Sequence, residues 1–269
     1  MEWFEAVILG LLQGLTEFLP VSSSGHLEIG KVLLGVETTD DLMFTTIVHA
    51  ATVLSTIVVF RKQIFGLLKG FFKFRYNDET DYLFKIAVSI IPVMIVGLFF
   101  KDHVEALFGS IKVVGFALLL TSALLFFSDL ASKPGKDVRK PESEARNGIS
   151  YWQAFVVGLA QAFAVVPGLS RSGTTISTGL ICGVRRDVMA QFSFLMVLIP
   201  ILGESFLELV GGEFASSSVG ALPLLLGFVS AFVSGLFACK VMIALVKKAK
   251  LSWFAIYCLI AAAAIFIFA

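Results

Sequence analysis

Long apolar stretches alternate with basic loops along this chain of 269 residues, and this alternation constrains the fold more than any other feature. A helix needs about 17 to 25 apolar residues to cross a bilayer. Six stretches meet that requirement, at 43–60, 83–100, 111–129, 188–212, 221–246 and 252–269. Because 57% of the residues are hydrophobic and only 15% are charged, a soluble domain is excluded. The pattern predicts an all-α polytopic membrane protein with six transmembrane helices.

Two shorter apolar stretches end at Pro20 and Pro167, and each leads into a run of serine and glycine. The backbone groups of such a run would lack hydrogen-bond partners if they faced lipid. Each stretch is therefore predicted to be the first arm of a re-entrant helical hairpin, at residues 4–35 and 150–183.

The loops that carry lysine and arginine predict the orientation of the chain. Three loops are rich in these residues, at 61–82, 130–149 and 247–250. Such loops stay in the cytoplasm. With these loops inside, the first hairpin enters and leaves the membrane from the outer side and the second from the inner side. The net charge of +1 gives no basic field for nucleic acid, which is not expected as a partner.

The chain also matches itself at an offset of 148 residues. Gln13 falls on Gln161 and Ser22 falls on Ser170, among other matches. Repeat half one then covers 1–129 and half two covers 150–269, joined by a cytoplasmic linker at 130–149. Halves of opposite orientation with broken helices are typical of transporters. A single membrane domain with an inverted-topology repeat is the prediction.

The first hairpin carries an ionisable cluster. Gln13 and Glu17 are four residues apart and share one helix face. An ionisable residue inside a membrane is costly, so Glu17 is a functional candidate, with a structural hydrogen bond between helices as the alternative. Gln13 and Glu17 can also share a divalent cation, Mg²⁺ or Ca²⁺, with phosphate oxygens. His26 follows a short hydroxyl run with its glycine, namely Ser22, Ser23, Ser24 and Gly25.

The second hairpin carries one guanidinium, Arg171, among small residues: Ser170, Ser172, Gly173, Thr174 and Thr175. Arginine binds phosphate oxygens in a bidentate way, and the start of a helix adds backbone N–H donors. We therefore predict an anion site, with an ion pair between Arg171 and Glu17 as the alternative. The two hairpins together suit phosphoryl transfer, in which catalysis is mostly positioning and charge stabilisation. Other polar residues in the spans, such as His49 and Lys85, indicate pairing between helices.

The motifs Gln13–His26 and Pro167–Thr175 closely resemble those of the bacterial undecaprenyl-diphosphatase family, also called bacitracin resistance proteins. The resemblance covers essentially the whole chain. It implies hydrolysis of undecaprenyl diphosphate to the monophosphate, bacitracin resistance, and recycling of the lipid carrier for peptidoglycan and envelope glycans. It further implies a multi-pass protein of the bacterial inner membrane, a site open to the periplasm, contact with membrane lipids and a homodimer.

The resemblance also implies roles for single residues. Glu17 matches the second acid of the family motif, and Gln13 takes the first position as a neutral amide. His26 matches the family histidine, and Arg171 would hold the diphosphate together with the hydroxyl residues around it. Ser22, Ser23 and Ser24 match the hydroxyl stretch before that histidine. Our mechanistic hypothesis from these residues is that Ser23 is the nucleophile, with His26 or Glu17 as its base.

Two alternative nucleophiles and one alternative function remain open. Water activated by Glu17 and His26, or His26 itself, can attack the phosphorus instead of Ser23. A transporter or flippase of a phosphorylated lipid would also need the Arg171 site, and release of phosphate discriminates it from an enzyme. A purely structural scaffold would not need polar hairpins.

Overall fold

The structure is a computed structural model, and it describes residues 1–36, 42–100, 103–104, 107, 110–132, 146–210 and 219–268. Across these residues the regular secondary structure is α-helical apart from a 3₁₀ turn at Arg146–Gly148. The helices are α1 (Trp3–Phe18), α2 (Ser23–Leu34), α3 (Leu42–Phe71), α4 (Asp78–Phe99), α5 (Ile111–Ala131), α6 (Tyr151–Phe163), α7 (Arg171–Ile181), α8 (Arg186–Val210), α9 (Ala221–Lys248) and α10 (Ser252–Phe268). The predicted linker falls largely on residues 133–145, outside the described residues.

Within the described residues, five helices are long and apolar enough to cross a membrane, and they coincide with five of the six predicted spans. They comprise Met43–Phe71, Asp78–Phe99, Ile111–Ala131, Arg186–Gly203 and Ala221–Lys248. The sixth predicted span is α10, a shorter apolar helix of 17 residues, or about 25 Å at 1.5 Å per residue. The first of the five continues past its predicted end at 60 as far as Phe71. The chain is therefore a multi-pass membrane protein.

The four remaining helices form two hairpins, α1–α2 and α6–α7. They contain 16, 12, 13 and 11 residues, so each is about 16 to 24 Å long and shorter than the apolar core of a bilayer. Local signals fix where they begin. Ser150 Oγ accepts a hydrogen bond from the Gln153 N–H at 3.2 Å, and Gln153 Oε1 accepts one from the Ser150 N–H at 2.8 Å. This capping box starts α6.

Each hairpin packs its first helix against a helix of the other half of the chain. The longest contact of α1 is with α9, and α6 lies along α4. Glycines allow the close approach, since a Cβ on Gly14 would stand 2.0 Å from Ser234 Oγ, and one on Gly158 would stand 2.2 Å from the Ser89 carbonyl oxygen. Small residues at such contacts are typical of membrane helices. The two halves are thus interleaved.

Polar contacts join the loops that carry the basic residues. Arg186 donates to Asp129 at 2.5 Å, and Asp129 also accepts from the Ser252 N–H at 2.7 Å. Lys85 of α4 donates to Asp81 of the same helix at 2.5 Å and to the carbonyl of Arg146, in the turn before α6, at 2.6 Å. Lys85 thus pairs with Asp81 of its own helix, and only its contact with the Arg146 carbonyl reaches another segment, whereas the sequence predicted pairing between helices.

Candidate active site at the tips of the two hairpins

The tip of the first hairpin is a tight turn between α1 and α2. Helix α1 ends at Phe18 because Pro20 disfavours helical geometry at Leu19. Ser22 has φ +71°, a left-handed value that costs a residue other than glycine about 1–3 kcal/mol. Its hydroxyl caps α2 by accepting from the Gly25 N–H at 3.2 Å. Because the surrounding structure must hold such a strained turn, it is a place where function is expected.

Glu17 lies at the centre of a polar cluster beside this turn. Ser23 Oγ donates to Glu17 Oε2 at 2.6 Å, and Gln13 Nε2 donates to the same oxygen at 2.9 Å. His49, from α3, brings its Nε2 to 3.8 Å from that oxygen. The Glu17 side chain is only 10% exposed. A nearly buried carboxylate thus accepts a hydrogen bond from the hydroxyl of the residue predicted to be the nucleophile.

His26 is engaged away from Ser23. Its Nδ1 lies 2.7 Å from the Ser22 carbonyl oxygen, and its Nε2 lies 2.6 Å from the Tyr257 hydroxyl. A carbonyl can only accept, so Nδ1 carries the proton and, in a neutral ring, Nε2 is the acceptor. Both ring nitrogens of His26 therefore contact groups other than the Ser23 hydroxyl.

The tip of the second hairpin repeats this arrangement. Gly168 has φ +86°, and a Cβ there would stand 2.6 Å from Val114 Cα, so only glycine fits. Ser170 caps α7 by accepting from the Gly173 N–H at 3.0 Å. The Ser170 N–H donates to Thr121 Oγ1 at 3.1 Å. This contact fixes the start of α7 against α5.

Direct hydrogen bonds hold the two tips together. Ser172 Oγ donates to the Leu19 carbonyl at 3.2 Å, and the Gly168 N–H donates to Ser24 Oγ at 3.3 Å. Ser22, Ser24, Ser170 and Ser172 therefore build the junction between the hairpins. Two motifs that are far apart in the sequence become one polar site.

Arg171 and Glu17 line the same cavity of about 30 Å³, large enough for one or two water molecules. Arg171 is partly buried, and within the described residues its guanidinium forms neither a hydrogen bond nor an ion pair. Among the described residues no hydrogen bond or ion pair within 4 Å joins Arg171 to Glu17, although the two opposite charges are close enough to attract each other. A cation with unused donors at a polar cavity suits an anionic ligand.

The threonines of the second motif are buried in α7. Thr175 Oγ1 donates to the Arg171 carbonyl at 2.8 Å and lies 2.7 Å from Ser193 Oγ of α8, so this hydroxyl joins two helices. Thr174 Oγ1 is buried and has no hydrogen-bond partner in the part of the chain that the structure describes. Thr174 is therefore the more available of the two for another contact.

Comparison with known proteins identifies the family. A family model described as bacitracin resistance protein BacA matches residues 6–264. The chain belongs to the BacA family. Its relatives include proteins named undecaprenyl-diphosphatase. The one from Parabacteroides distasonis is 57% identical over 97% of this chain and 96% of its own length. The one from Bacteroides fragilis is 55% identical over the same shares. The one from Christiangramia forsetii is 50% identical over 100% and 99%.

This BacA-family chain has oxygen donors that fit a divalent cation shared with a phosphorylated ligand. Gln13 Oε1 is buried without a hydrogen-bond partner among the described residues, on the same side chain that donates to Glu17. An amide oxygen beside a carboxylate suits Mg²⁺ or Ca²⁺. No three His, Cys, Asp or Glu side chains in the described ranges converge as metal ligands. Further ligands would therefore be substrate oxygens and water.

Three contacts of the BacA site were missed by the sequence analysis. His49 was predicted to pair between helices, and it does, but its partner Glu17 was not predicted. Tyr257 and Thr121 were not considered, yet they contact His26 and the Ser170 backbone. The signal for each of these three residues was a polar side chain in an apolar helix. Such a signal does not predict which residue the side chain contacts.

Proposed function

We propose that this protein hydrolyses undecaprenyl diphosphate to undecaprenyl phosphate and inorganic phosphate, which recycles the lipid carrier of envelope glycan synthesis and confers resistance to bacitracin. The observation that carries this function is that Ser23 donates to Glu17, and that Glu17 and Arg171 line one cavity. Relatives at 50–57% identity over nearly the whole chain bear the name of this activity.

Ser23 is the proposed nucleophile, and Glu17 is its base. The Ser23 oxygen forms a bond to the terminal phosphorus while its proton passes to Glu17 Oε2. The bond from that phosphorus to the bridging oxygen breaks, and undecaprenyl phosphate leaves with the bridging oxygen. The 2.6 Å contact favours Glu17 over His26 for this role, because both nitrogens of His26 contact other groups.

Arg171 is proposed to hold the terminal phosphate. Its guanidinium, which forms no hydrogen bond within the described residues, can form two hydrogen bonds to phosphate oxygens and balance the charge that develops on them. The start of α7 adds the positive end of the helix dipole and the N–H groups of its first turn. Gln13, Ser22, Ser24, Gly25, Ser170, Ser172, Gly173, Thr174 and Thr175 are the proposed surroundings of the diphosphate.

Water then attacks the phosphorus of phosphoserine, and the oxygen of Ser23 leaves with a proton returned by Glu17. Inorganic phosphate is the second product. The cavity between Glu17 and Arg171 also has room for a water molecule that attacks the substrate directly, which needs no phosphoserine. Trapping the intermediate distinguishes these two routes.

A divalent cation, Mg²⁺ or Ca²⁺, would be held by Glu17, Gln13 and oxygens of the substrate, and would neutralise part of the diphosphate charge. Ser23 and Gln13 both donate to Oε2 of Glu17. The other carboxylate oxygen, Oε1, accepts no hydrogen bond from the described residues. That oxygen is the one we assign to the cation.

We also propose that α10 is a sixth span and that both hairpins are re-entrant. Gln153 Nε2, at the start of α6, donates to the Cys182 carbonyl just after α7 at 3.0 Å, so the second hairpin begins and ends at one level. The contacts of Arg186 with Asp129 and of Lys85 with Arg146 support the proposal that the basic loops lie on the side where the second hairpin begins and ends. Basic loops favour the cytoplasm, which puts the entrance of the first hairpin, and access to the site, on the periplasmic side of the inner membrane.

An inverted repeat explains several matched features. Helices α1 and α6 begin at Trp3 and Tyr151, and α2 and α7 begin at Ser23 and Arg171, each pair 148 residues apart. The packing of the two hairpins agrees with a two-fold relation between the halves. Helix α1 of half one packs against α9 of half two, and α6 of half two packs against α4 of half one. We therefore keep the halves 1–129 and 150–269. The homodimer stays a prediction, which the mass of the protein in detergent would test.

The decisive experiment measures phosphate release from undecaprenyl diphosphate by the purified protein in detergent, with and without Mg²⁺ or Ca²⁺. We expect turnover in the wild type and its loss in Ser23→Ala, and a phosphorylated Ser23 after rapid acid quenching. Ser252→Ala is a matched control, because its hydroxyl contacts Asp129, outside the hairpin tips.

Two outcomes would change the proposal. Full activity in Ser23→Ala would exclude the covalent route and favour direct attack by water. No phosphate release from folded wild-type protein under any cation would overturn the enzyme and favour a transporter of the lipid.

A further inference from the structure

We infer that Tyr257 of α10 is a positioning residue of this active site, which acts through His26 to hold the turn that presents Ser23. The inference rests on the proposed function, because it assigns a residue to that reaction. Tyr257 lies outside both hairpins and both sequence motifs. It is the one residue of α10 with a side-chain hydrogen bond to His26 among the described residues.

Tyr257 contacts His26 in two ways. Its hydroxyl lies 2.6 Å from Nε2, and the two rings stack with centroids 5.5 Å apart and planes at 14°. Since Nδ1 donates to the Ser22 carbonyl, the Nε2 of a neutral ring accepts, and the phenol donates. The hydroxyl thus fixes the tautomer and the rotation of the ring. The stacking fixes the tilt of its plane.

The position of Tyr257 argues against a role in helix packing alone. The residue is 47% exposed, whereas its hydroxyl is hydrogen-bonded to the histidine. Replacing the hydroxyl with hydrogen would therefore leave the packing of α10 nearly unchanged. Any effect of that change must pass through the hydrogen bond.

The contact leads to Ser23 through the strained turn. His26 Nδ1 holds the carbonyl of Ser22, whose φ is +71°, and Ser23 is the next residue. Cys258, beside Tyr257, directs its thiol to the Pro20 carbonyl at 3.7 Å, so α10 contacts the turn at a second point. If His26 can rotate, Ser22 loses a partner that holds its geometry. The 2.6 Å contact from Ser23 to Glu17 then loosens.

The test is Tyr257→Phe, which keeps the ring and removes the hydroxyl. We expect kcat for phosphate release to fall by about tenfold or more, equivalent to about 1.4 kcal/mol, while KM stays near the wild-type value. Tyr82→Phe is the matched control. The Tyr82 hydroxyl is buried and has no hydrogen-bond partner among the described residues, so its removal should leave kcat unchanged.

Nitrogen NMR of histidine gives a readout that a loss of folding would not mimic. The chain has three histidines, and His26→Asn identifies the signals of His26. We expect the Nδ1–H tautomer in the wild type. In Tyr257→Phe the chemical shift of Nε2 should move toward the value of an imidazole nitrogen that accepts no hydrogen bond.

Support requires both changes, a lower kcat and a shifted Nε2 resonance. Wild-type kcat in Tyr257→Phe, or a lower kcat with an unchanged resonance, would overturn the inference. If the wild type releases no phosphate, the proposed function fails. The assignment of Tyr257 to that reaction then fails with it. A shifted resonance would in that case show only that Tyr257 is hydrogen-bonded to His26.

Discussion

Replacing Glu17 with glutamine tests the centre of the proposed mechanism. The amide matches the carboxylate in size, and its oxygen can still accept the Ser23 hydrogen bond seen at 2.6 Å. It cannot take the proton. General base catalysis contributes about 10²- to 10⁴-fold, so kcat should fall by that factor, or about 2.7–5.5 kcal/mol. KM should change little, because Arg171 remains to hold the phosphate.

The assay is phosphate release from undecaprenyl diphosphate, analysed for kcat and KM separately. Glu28→Gln is the matched control, since Glu28 lies in the same hairpin and pairs with Lys31 at 2.9 Å. Glu17 and Ser23 act as one unit, so adding Ser23→Ala to Glu17→Gln should cause little further loss. A kcat within about threefold of the wild type in Glu17→Gln would refute Glu17 as the base.

Three further changes have defined outcomes. Arg171→Lys keeps the charge but loses the planar fork, so kcat/KM should fall about 10- to 150-fold, from about 1.5–3 kcal/mol for a charged hydrogen bond. Asp129→Ala leaves Arg186, whose side chain is 8% exposed, without its carboxylate, and should lower the free energy of unfolding in detergent by about 3–5 kcal/mol. Gly14→Ala would force a Cβ against Ser234 Oγ, where 2.0 Å is available, and should cost about 1–3 kcal/mol in the same measurement.

Each of these has a result that would contradict it. Wild-type kcat/KM in Arg171→Lys would mean that a positive charge without the planar fork is sufficient to hold the phosphate. Wild-type stability of Asp129→Ala would mean that Arg186 finds other acceptors. Gly97→Ala is the control for Gly14→Ala, because a Cβ at Gly97 meets no atom within 4 Å. Equal stabilities of these two alanine variants would remove the steric argument.

Much of the fold could be predicted from local signals in the sequence. Pro20 and Pro167 marked the hairpin tips, and the serines that follow them cap the next helices in the structure. Both signals act over a few residues, so they do not depend on tertiary packing. The prediction was less accurate at the end of the first span, because a helix can continue past the apolar core into the basic loop.

The sequence by itself determined the membrane class, the two polar hairpins and the residue types that can hold a phosphate. Composition, apolar length and spacing are properties of the chain alone. The tertiary structure decided how these parts meet. It joined Ser172 to Leu19, turned His26 toward Tyr257 and left Glu17 beside Ser23. These contacts connect residues of different helices and of the turn after α1. Their geometry follows from the packing of the helices, which the spacing of residues along the chain does not predict.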